Sequence, residues 1–278
     1  MRMISVANSL DIWNAYLPDV PMDAHKYMRG YALFWGSPML TGAIQLATLS
    51  ARRIGTGVVG VVCTNQTHSL YASQMGLLTL TDPHKSPASL FLENAHDHRV
   101  TALCVGPGLS THDEPFKPLE KDLLLCSEKP LVLDGGCINA DWLSHARLSP
   151  TIITPHLGEW IRINGNDNIE EAYVQNWVEK NAITVVLKGP QTTVFSPNHL
   201  PVRYEGASRY LSTAGTGDIL TGLITGLIAQ GMPIHQSCAA AVWIHAKAAE
   251  KAGPYLLSED LIPAIWDIRR SYLRTPHT

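Results

Sequence analysis

Short apolar runs alternate with longer stretches of helical periodicity along most of this chain, and this alternation restricts the fold more than any other feature. The apolar runs lie at residues 58–63, 102–105, 131–133, 152–154 and 184–187. They are apolar at consecutive positions, as expected of strands that are buried on both faces. Helical spacing of apolar residues occurs at 40–54, 88–97, 119–128, 140–147 and 169–180. The pattern predicts an α/β fold, a three-layer α/β/α sandwich with a mostly parallel, doubly wound sheet.

The last third of the chain departs from this alternation. Segments 192–195 and 202–205 have strand character and are separated by a short linker with two prolines, which predicts a small antiparallel hairpin near the sheet edge. Three helices follow, predicted at 217–230, 234–252 and 258–272. The sequence has no internal repeat, low-complexity segment or shift in composition. We therefore expect a single domain of residues 1–278.

Composition argues against several classes of protein. The net charge of −3 provides no basic surface for nucleic acid. The apolar segment after Asp218 is about 14 residues long, whereas a membrane span needs about 20. The five cysteines form no Cys-x-x-Cys pair and the first 24 residues lack a secretory signal, so we expect a cytoplasmic protein with reduced thiols. Small side chains on one side of 234–252 are compatible with a homo-oligomer, which we expect.

The segment 212–218, Ser-Thr-Ala-Gly-Thr-Gly-Asp, leads directly into an apolar helix. Gly215 and Gly217 allow the backbone to approach a ligand closely, and a helix N-terminus attracts anions such as phosphate. Asp218 falls in the first helical turn, where we expect a lowered proton affinity, so that the ionised carboxylate can accept a proton. A capped core helix explains the same pattern, but capping alone does not need two glycines.

The loops that follow four predicted strands are rich in glycine, proline and ionisable groups. They are Gly-Pro-Gly at 106–108, Asp-Gly-Gly at 134–136, Pro-His-Leu-Gly-Glu at 155–159 and Lys-Gly-Pro at 188–190. Ligands of open α/β sheets bind beyond the carboxyl ends of the strands. The four loops are therefore expected to converge on a single cleft.

Each ionisable residue in these loops has a functional and a structural interpretation. Lys188 could meet a nucleotide phosphate as a point charge, or it could be a solvated lysine at a strand end. His156 could contact substrate or be a structural histidine. No third ligand at metal-binding spacing accompanies His156 and Glu159, and Pro155 at the first helical position would explain Glu159 as compensation of the helix dipole, so we predict no protein-bound metal.

Glycines at 55, 57 and 60 match the dinucleotide-binding fingerprint by letters alone. They follow a predicted helix and lead into a strand, whereas the fingerprint requires the strand first and the helix second. A phosphate-binding loop with a Gly-Lys-Ser/Thr ending is also absent from the sequence. Phosphate binding is therefore expected at the helix entrance near Asp218.

In this order the motifs resemble a known family, the ADP- or ATP-dependent NAD(P)H-hydrate dehydratases of the ribokinase-like superfamily. The similarity runs from about residue 25 to the final helix. The residues that carry it are His25-Lys26, Gly36-Ser37, Gly42-Ala43, the glycines at 55–57 and 106–108, Thr-Pro-His-Leu-Gly-Glu at 154–159, Leu-Lys-Gly at 187–189, Ala-Gly-Thr-Gly-Asp at 214–218 and Ala-Gln-Gly at 229–231.

The resemblance implies a repair reaction. The substrate would be the (S) form of hydrated NADH or NADPH, whose ring hydroxyl is phosphorylated by ADP or ATP before phosphate leaves. Asp218 would be the catalytic base, and the amides of Gly215 and Gly217 would stabilise the transferred phosphoryl group. The substrate-binding residues would be Ala43, Gly108, His156 and Asp218. The nucleotide-binding residues would be Lys188, Gly189, Pro190, Gln191, Thr192 and Gly217, with Mg²⁺ neutralising the nucleotide.

The chain departs from the family in two places. Upstream, Trp35-Gly36 stands where relatives usually carry a glycine pair, and Tyr27 replaces the glycine after His25-Lys26. The second departure concerns a carboxylate. Where relatives usually carry Asp-Ala-Asp, this chain has Asp134-Gly135-Gly136, which removes one carboxylate. We also expect a separate epimerase protein to act on the other epimer of the substrate. Two alternatives stay open at this point. One is a small-molecule kinase of the same fold, of the hydroxyethylthiazole or pyridoxal type, and the other is a nucleotide-binding protein that has lost turnover.

Overall fold

The computed structural model describes residues 5–144 and 148–272. Its strands are β1 (Val6–Ala7), β2 (Tyr31–Trp35), β3 (Val58–Val62), β4 (Leu78–Leu80), β5 (Ala102–Val105), β6 (Leu131–Leu133), β7 (Thr151–Ile153), β8 (Ile183–Leu187), β9 (Thr192–Phe195) and β10 (Val202–Tyr204). Its helices are α1 (Leu10–Trp13), α2 (Thr41–Arg53), α3 (His68–Ala72), α4 (Pro87–Ala95), α5 (Pro118–Leu125), α6 (Ala140–Ser144), α7 (Leu157–Asn164), α8 (Glu171–Asn181), α9 (Thr216–Ala229), α10 (Ile234–Ala252) and α11 (Leu261–Tyr272).

All ten strands form one sheet in the order β1-β10-β9-β8-β7-β6-β5-β2-β3-β4. The strands from β8 to β4 are parallel to one another, and β9 is antiparallel to both β8 and β10. The sheet is therefore mostly parallel with an antiparallel hairpin, and the predicted fold class is confirmed. Strand β1 pairs in parallel with the outer side of β10, so the hairpin lies one strand in from the edge.

The sheet separates two apolar cores. Helices α2, α9, α10 and α11 contribute to one core, and α4, α5 and α8 contribute to the other. Alternate residues of β2 enter the two cores, with Ala32 and Phe34 on one face and Leu33 and Trp35 on the other. Burial on both faces explains why this strand is apolar at every position.

Sequence reasoning missed β2, although it lies between β5 and β3 near the middle of the sheet. Its five consecutive apolar or aromatic residues follow Gly30 and were a sufficient strand signal. The short elements β1, β4, α1 and α3 were also missed. The predicted helix 140–147 is α6 as far as residue 144, and its last three positions lie outside the described residues. The predicted helix 258–272 begins with one 3-10 turn before α11.

Helix α9 is held between α2, α10 and the sheet, and this packing fixes the position of its N-terminus. A Cβ on Gly222 would lie 2.0 Å from the carbonyl oxygen of Ala47, so α2 and α9 approach each other at backbone distance. Ser50 Oγ donates a hydrogen bond to the carbonyl of Ile219 at 3.0 Å, one turn into α9. Among the described residues no helix combines the length and the apolar character that crossing a bilayer requires.

Candidate active site

A cleft of about 550 Å³ opens at the carboxyl ends of β7 and β8, beside the start of α9. It is formed by the turn between β8 and β9, the loop between β10 and α9, and α10. The residues that line it are His156, Lys188, Gly189, Pro190, Thr192, Ala207, Ser208, Arg209, Leu211, Ser212, Thr213, Thr216, Gly217, Leu220 and His245. Six residues predicted for the site therefore share one cavity: His156, Lys188, Gly189, Pro190, Thr192 and Gly217.

The two glycines before Asp218 serve different purposes. Gly215 precedes α9 with φ of +92°, and a Cβ there would lie 2.6 Å from Leu46 and 2.8 Å from Ser258. Both the backbone conformation and the close packing therefore require glycine at position 215. Gly217 faces the cleft, since the nearest atom to its missing Cβ is the ammonium nitrogen of Lys188 at 3.5 Å.

Several hydrogen bonds hold the first residue of α9, and two of them join it to Leu211 and His245. Thr216 Oγ1 donates to the carbonyl of Leu211 at 2.7 Å, and the Nε2–H group of His245 donates to the carbonyl of Thr216 at 2.9 Å. Burial lowers the pKa of His245 to about 4, so its ring is neutral near pH 7. His245, from the middle of α10, was not among the predicted site residues, and an isolated histidine in an apolar helix was the signal that marked it.

Asp218 lies in the first turn of α9, as predicted, but its proton affinity is not lowered. Burial and, to a lesser extent, the nearby negative charge of Asp134 together raise the pKa of Asp218 to about 7, while Lys188 opposes both effects. The expectation of a fully ionised carboxylate was therefore wrong, because desolvation outweighs the helix dipole at this position. No described residue donates a hydrogen bond to this carboxylate. A carboxylate with a pKa close to neutral is well suited to accept a proton from an alcohol and later release it.

Asp134 follows β6 and organises the floor of the site. It is buried, and its carboxylate accepts hydrogen bonds from Thr154 Oγ1 at 2.7 Å, Thr221 Oγ1 at 3.0 Å and Lys188 Nζ at 3.3 Å. Lys188 Nζ also lies 4.0 Å from Glu159 Oε2. Burial alone would lower the pKa of Lys188, but the two carboxylates raise it, so the ammonium stays charged.

The glycines at 135 and 136 have a local structural reason. Gly135 has φ of +52°, and a Cβ on Gly136 would lie 2.1 Å from the carbonyl oxygen of Ser110. The backbone after β6 therefore packs directly against the loop that follows β5. An aspartate at position 136 does not fit this arrangement, and Asp134 is the carboxylate that this segment contributes to the site.

His156 is the N-cap of α7, and the predicted placement of Pro155 at the first helical position was wrong. His156 Nδ1 accepts a hydrogen bond from the Glu159 amide at 3.2 Å, and Glu159 Oε2 accepts one from the His156 amide at 2.8 Å. Glu159 thus completes a reciprocal cap. The His156 side chain is 57% exposed towards the cleft mouth. The described residues contain no group of three or more His, Cys, Asp or Glu that could hold a metal ion.

Of the predicted nucleotide-binding residues, Lys188, Gly189, Pro190 and Gln191 lie between β8 and β9, Thr192 begins β9, and Gly217 lies in the first turn of α9. Thr192 Oγ1 donates to the carbonyl of Gly189 at 3.0 Å and closes the turn. Gln191 lines a second cleft of about 340 Å³, which Lys188, Gly189 and Pro190 also line, and is not among the residues of the first cleft.

The predicted substrate residues Ala43 and Gly108 lie against each other, but neither is among the residues that line the 550 Å³ cleft. Gly108 has φ of +74°, and a Cβ on it would lie 3.2 Å from Ala43 and 2.5 Å from the carbonyl oxygen of Leu40. Ser37 Oγ donates to the Gly108 carbonyl at 2.8 Å and joins the loops after β2 and β5. These contacts leave no room for a larger residue at position 108.

Comparison with known proteins decides the family. A family model described as NAD(P)H-hydrate dehydratase matches residues 32–264. The chain belongs to the NAD(P)H-hydrate dehydratase family. It is 32% identical to the bifunctional NAD(P)H-hydrate repair enzyme Nnr of Salinibacter ruber over 86% of this chain and 47% of that protein. It is 30% identical to the ADP-dependent (S)-NAD(P)H-hydrate dehydratase of Bacillus subtilis, over 91% of this chain and 94% of that one.

Solved structures agree with the family and the fold. A Bacillus subtilis ADP/ATP-dependent NAD(P)H-hydrate dehydratase, co-crystallised with ATP and Mg²⁺, superposes with a TM-score of 0.79 at 26% identity and covers 96% of this chain and 99% of its own. A ribokinase-like superfamily protein of Enterococcus faecalis, at 24% identity and a TM-score of 0.83, covers 95% of each chain and supports the fold alone. The chain spans about half the length of the bifunctional relatives it matches.

Proposed function

We propose that this protein dehydrates the (S) form of hydrated NADH or NADPH at the expense of ADP or ATP, restoring the reduced cofactor. The observation that carries the proposal is that Gly217 and the Lys188 ammonium meet in one cleft, with Asp218 next to Gly217 in the first turn of α9, although Asp218 is not itself among the residues that line the cleft. A base, an anion-binding helix end and a cation are the components that phosphoryl transfer to an alcohol requires.

The first step transfers a phosphoryl group. The Asp218 carboxylate accepts the proton of the ring hydroxyl as the hydroxyl oxygen bonds to the terminal phosphorus of the nucleotide, and the bridging phosphorus–oxygen bond breaks. General base catalysis of this kind contributes about 10²–10⁴ in rate. The amides at the start of α9 and the Lys188 ammonium stabilise the negative charge of the transferred group.

The second step eliminates phosphate. Hydroxide is a poor leaving group, whereas phosphate is a good one, so phosphorylation prepares the carbon–oxygen bond for cleavage. The lone pair of the ring nitrogen assists departure of the phosphate, and loss of a proton from the adjacent ring carbon restores the double bond. Ala43, Gly108 and His156 are the residues that we assign to the hydrated nicotinamide.

Mg²⁺ would accompany the nucleotide. The carboxylate of Asp134 is already occupied by three donors and that of Glu159 by the His156 amide. The site therefore fits an ion that is bound mainly by phosphate oxygens and water, as Mg²⁺ commonly is. Such an ion neutralises part of the phosphate charge.

The test is incubation of the purified protein with hydrated NADPH and ADP, ATP or no nucleotide. We expect the reduced-nicotinamide absorbance to recover only with nucleotide, together with an equal amount of free phosphate. A stable phosphorylated product would indicate a kinase of the same fold. Nucleotide binding without consumption of the hydrate would indicate a binding protein. Either result would overturn the proposal.

A further inference from the structure

The cleft provides little net positive charge for phosphate groups. Lys188 Nζ lies 3.3 Å from Asp134 and 4.0 Å from Glu159, so its charge is already balanced. Asp218 adds a third carboxylate in the first turn of α9. A nucleoside diphosphate brings several further negative charges, and like charges in a partly desolvated cleft repel strongly. Besides the ion that accompanies the nucleotide, binding therefore calls for a second cationic side chain in addition to Lys188.

Arg209 supplies such a charge. It begins a short 3-10 helix, Arg209–Leu211, and lines the same cleft as Lys188. Its guanidinium carbon lies 5.2 Å from the centroid of the Tyr210 ring, and its Nη2 donates to the Tyr210 hydroxyl at 3.3 Å. No described carboxylate forms an ion pair with it. The guanidinium is exposed and its charge is not compensated.

The position of Arg209 along the chain links it to the helix that receives the phosphates. The loop between β10 and α9 contains Arg209, and two residues later the carbonyl of Leu211 accepts the hydrogen bond from Thr216. The same segment therefore carries the guanidinium and holds the first residue of α9. Guanidinium groups match the geometry of phosphate oxygens and form strong charge-assisted hydrogen bonds.

We propose that Arg209 binds the phosphate groups of the nucleotide and is the second cation of the cleft. This inference rests on the proposed function, because it specifies a contact to the nucleotide of that reaction. Arg209 was absent from the residues predicted from sequence, although it is the only Lys or Arg between residues 204 and 246.

The test measures binding by calorimetry without hydrated cofactor, so that it does not depend on turnover. Wild-type protein and Arg209→Gln are titrated with ADP, AMP and adenosine in the presence of Mg²⁺. We expect Arg209→Gln to weaken ADP binding by about tenfold to a hundredfold, the usual loss for a hydrogen bond to a charged group. The loss for adenosine should be below twofold, and Arg209→Lys should recover part of the affinity for ADP.

Arg270→Gln is the matched control. Arg270 is exposed and also stacks on an aromatic ring, that of Trp266, with its guanidinium carbon 6.0 Å from the centroid. It does not line the cleft, so its variant should bind ADP like the wild type. Thermal unfolding of each variant checks that the fold is retained.

Two results would overturn the inference. Wild-type affinity for ADP in Arg209→Gln would show that the guanidinium makes no phosphate contact. An equal loss for adenosine would assign Arg209 to the base or to loop structure. If ADP binding depends on Arg209 but hydrated NADPH is not dehydrated, the proposed function fails while the phosphate contact stands.

Discussion

Replacement of Asp218 by asparagine should make the folded protein more stable while it removes the catalytic base. The fold raises the pKa of Asp218 from 3.8 to about 7, chiefly by burial. A raised pKa means that the ionised form is less favourable in the folded state than in the unfolded state. The shift of about three units, at 1.36 kcal/mol per unit, corresponds to a destabilisation of about 4 kcal/mol above neutral pH.

The sign of this effect depends on pH in a defined way. Below about pH 3.8 the carboxyl is protonated in both states and costs nothing. Between about 3.8 and 7 the folded state holds more protons, so the stability of the wild type decreases as the pH rises. Asparagine does not titrate, and the Asp218→Asn variant should therefore gain about 4 kcal/mol at pH 8 and well under 1 kcal/mol at pH 4.

The assay is urea unfolding of both proteins at pH 4, 6 and 8, followed by circular dichroism. Asp11→Asn is the control, because Asp11 is an exposed carboxylate in the first turn of α1. It should change the free energy of unfolding by less than about 0.5 kcal/mol. Equal stability of Asp218→Asn and wild type at pH 8, or a difference that does not vary with pH, would refute the reasoning.

Further predictions concern packing and protonation. Gly222→Ala should lower the free energy of unfolding by about 1–3 kcal/mol or more, because the new Cβ would meet the Ala47 carbonyl. Gly42→Ala, where the new Cβ lies in open space, should raise it by up to about 1 kcal/mol. The midpoints of urea unfolding would check both. Burial lowers the pKa of His235 and of His245 to about 4, so both rings resist protonation in the folded state. In the Asp218→Asn background the free energy of unfolding should therefore fall by up to about 3 kcal/mol for each histidine as the pH drops from 6.5 to 4. Stability that does not change over this pH range would contradict this. The kcat/KM of the wild type should fall about tenfold per pH unit below about 7, and a flat profile there would exclude the Asp218 carboxylate as the base.

The strands near the middle of the sheet could be predicted because burial on both faces imposes a continuous apolar sequence. β5 and β6 have the predicted bounds, β3 and β8 differ by one residue at one end, and β7 is displaced by one residue at both ends. The strand β2 carries the same signal and was predictable on the same grounds. Short β1 and β4 were not predictable in this way, because two or three residues at a sheet edge carry little pattern.

The positions of the site residues were more predictable than their electrostatics. Loops after parallel strands meet at one edge of the sheet, so the convergence of His156, Lys188 and Gly217 followed from topology. The pKa of Asp218 did not, because it depends on burial and on Asp134, which is distant in sequence. The capping role of His156 also needed coordinates. The cytoplasmic location, the homo-oligomer, the separate epimerase and the single domain of residues 1–278 stay predictions.

The central claim is that the Asp218 carboxylate activates an alcohol beside a bound nucleotide. The most direct measurement follows NADPH absorbance and free phosphate together at pH 8, for wild type and Asp218→Asn, with hydrated NADPH, ADP and Mg²⁺. The account predicts equal recovery of NADPH and phosphate in the wild type, and no recovery in the variant, which should still bind ADP. Retention of most of the turnover by Asp218→Asn would contradict it.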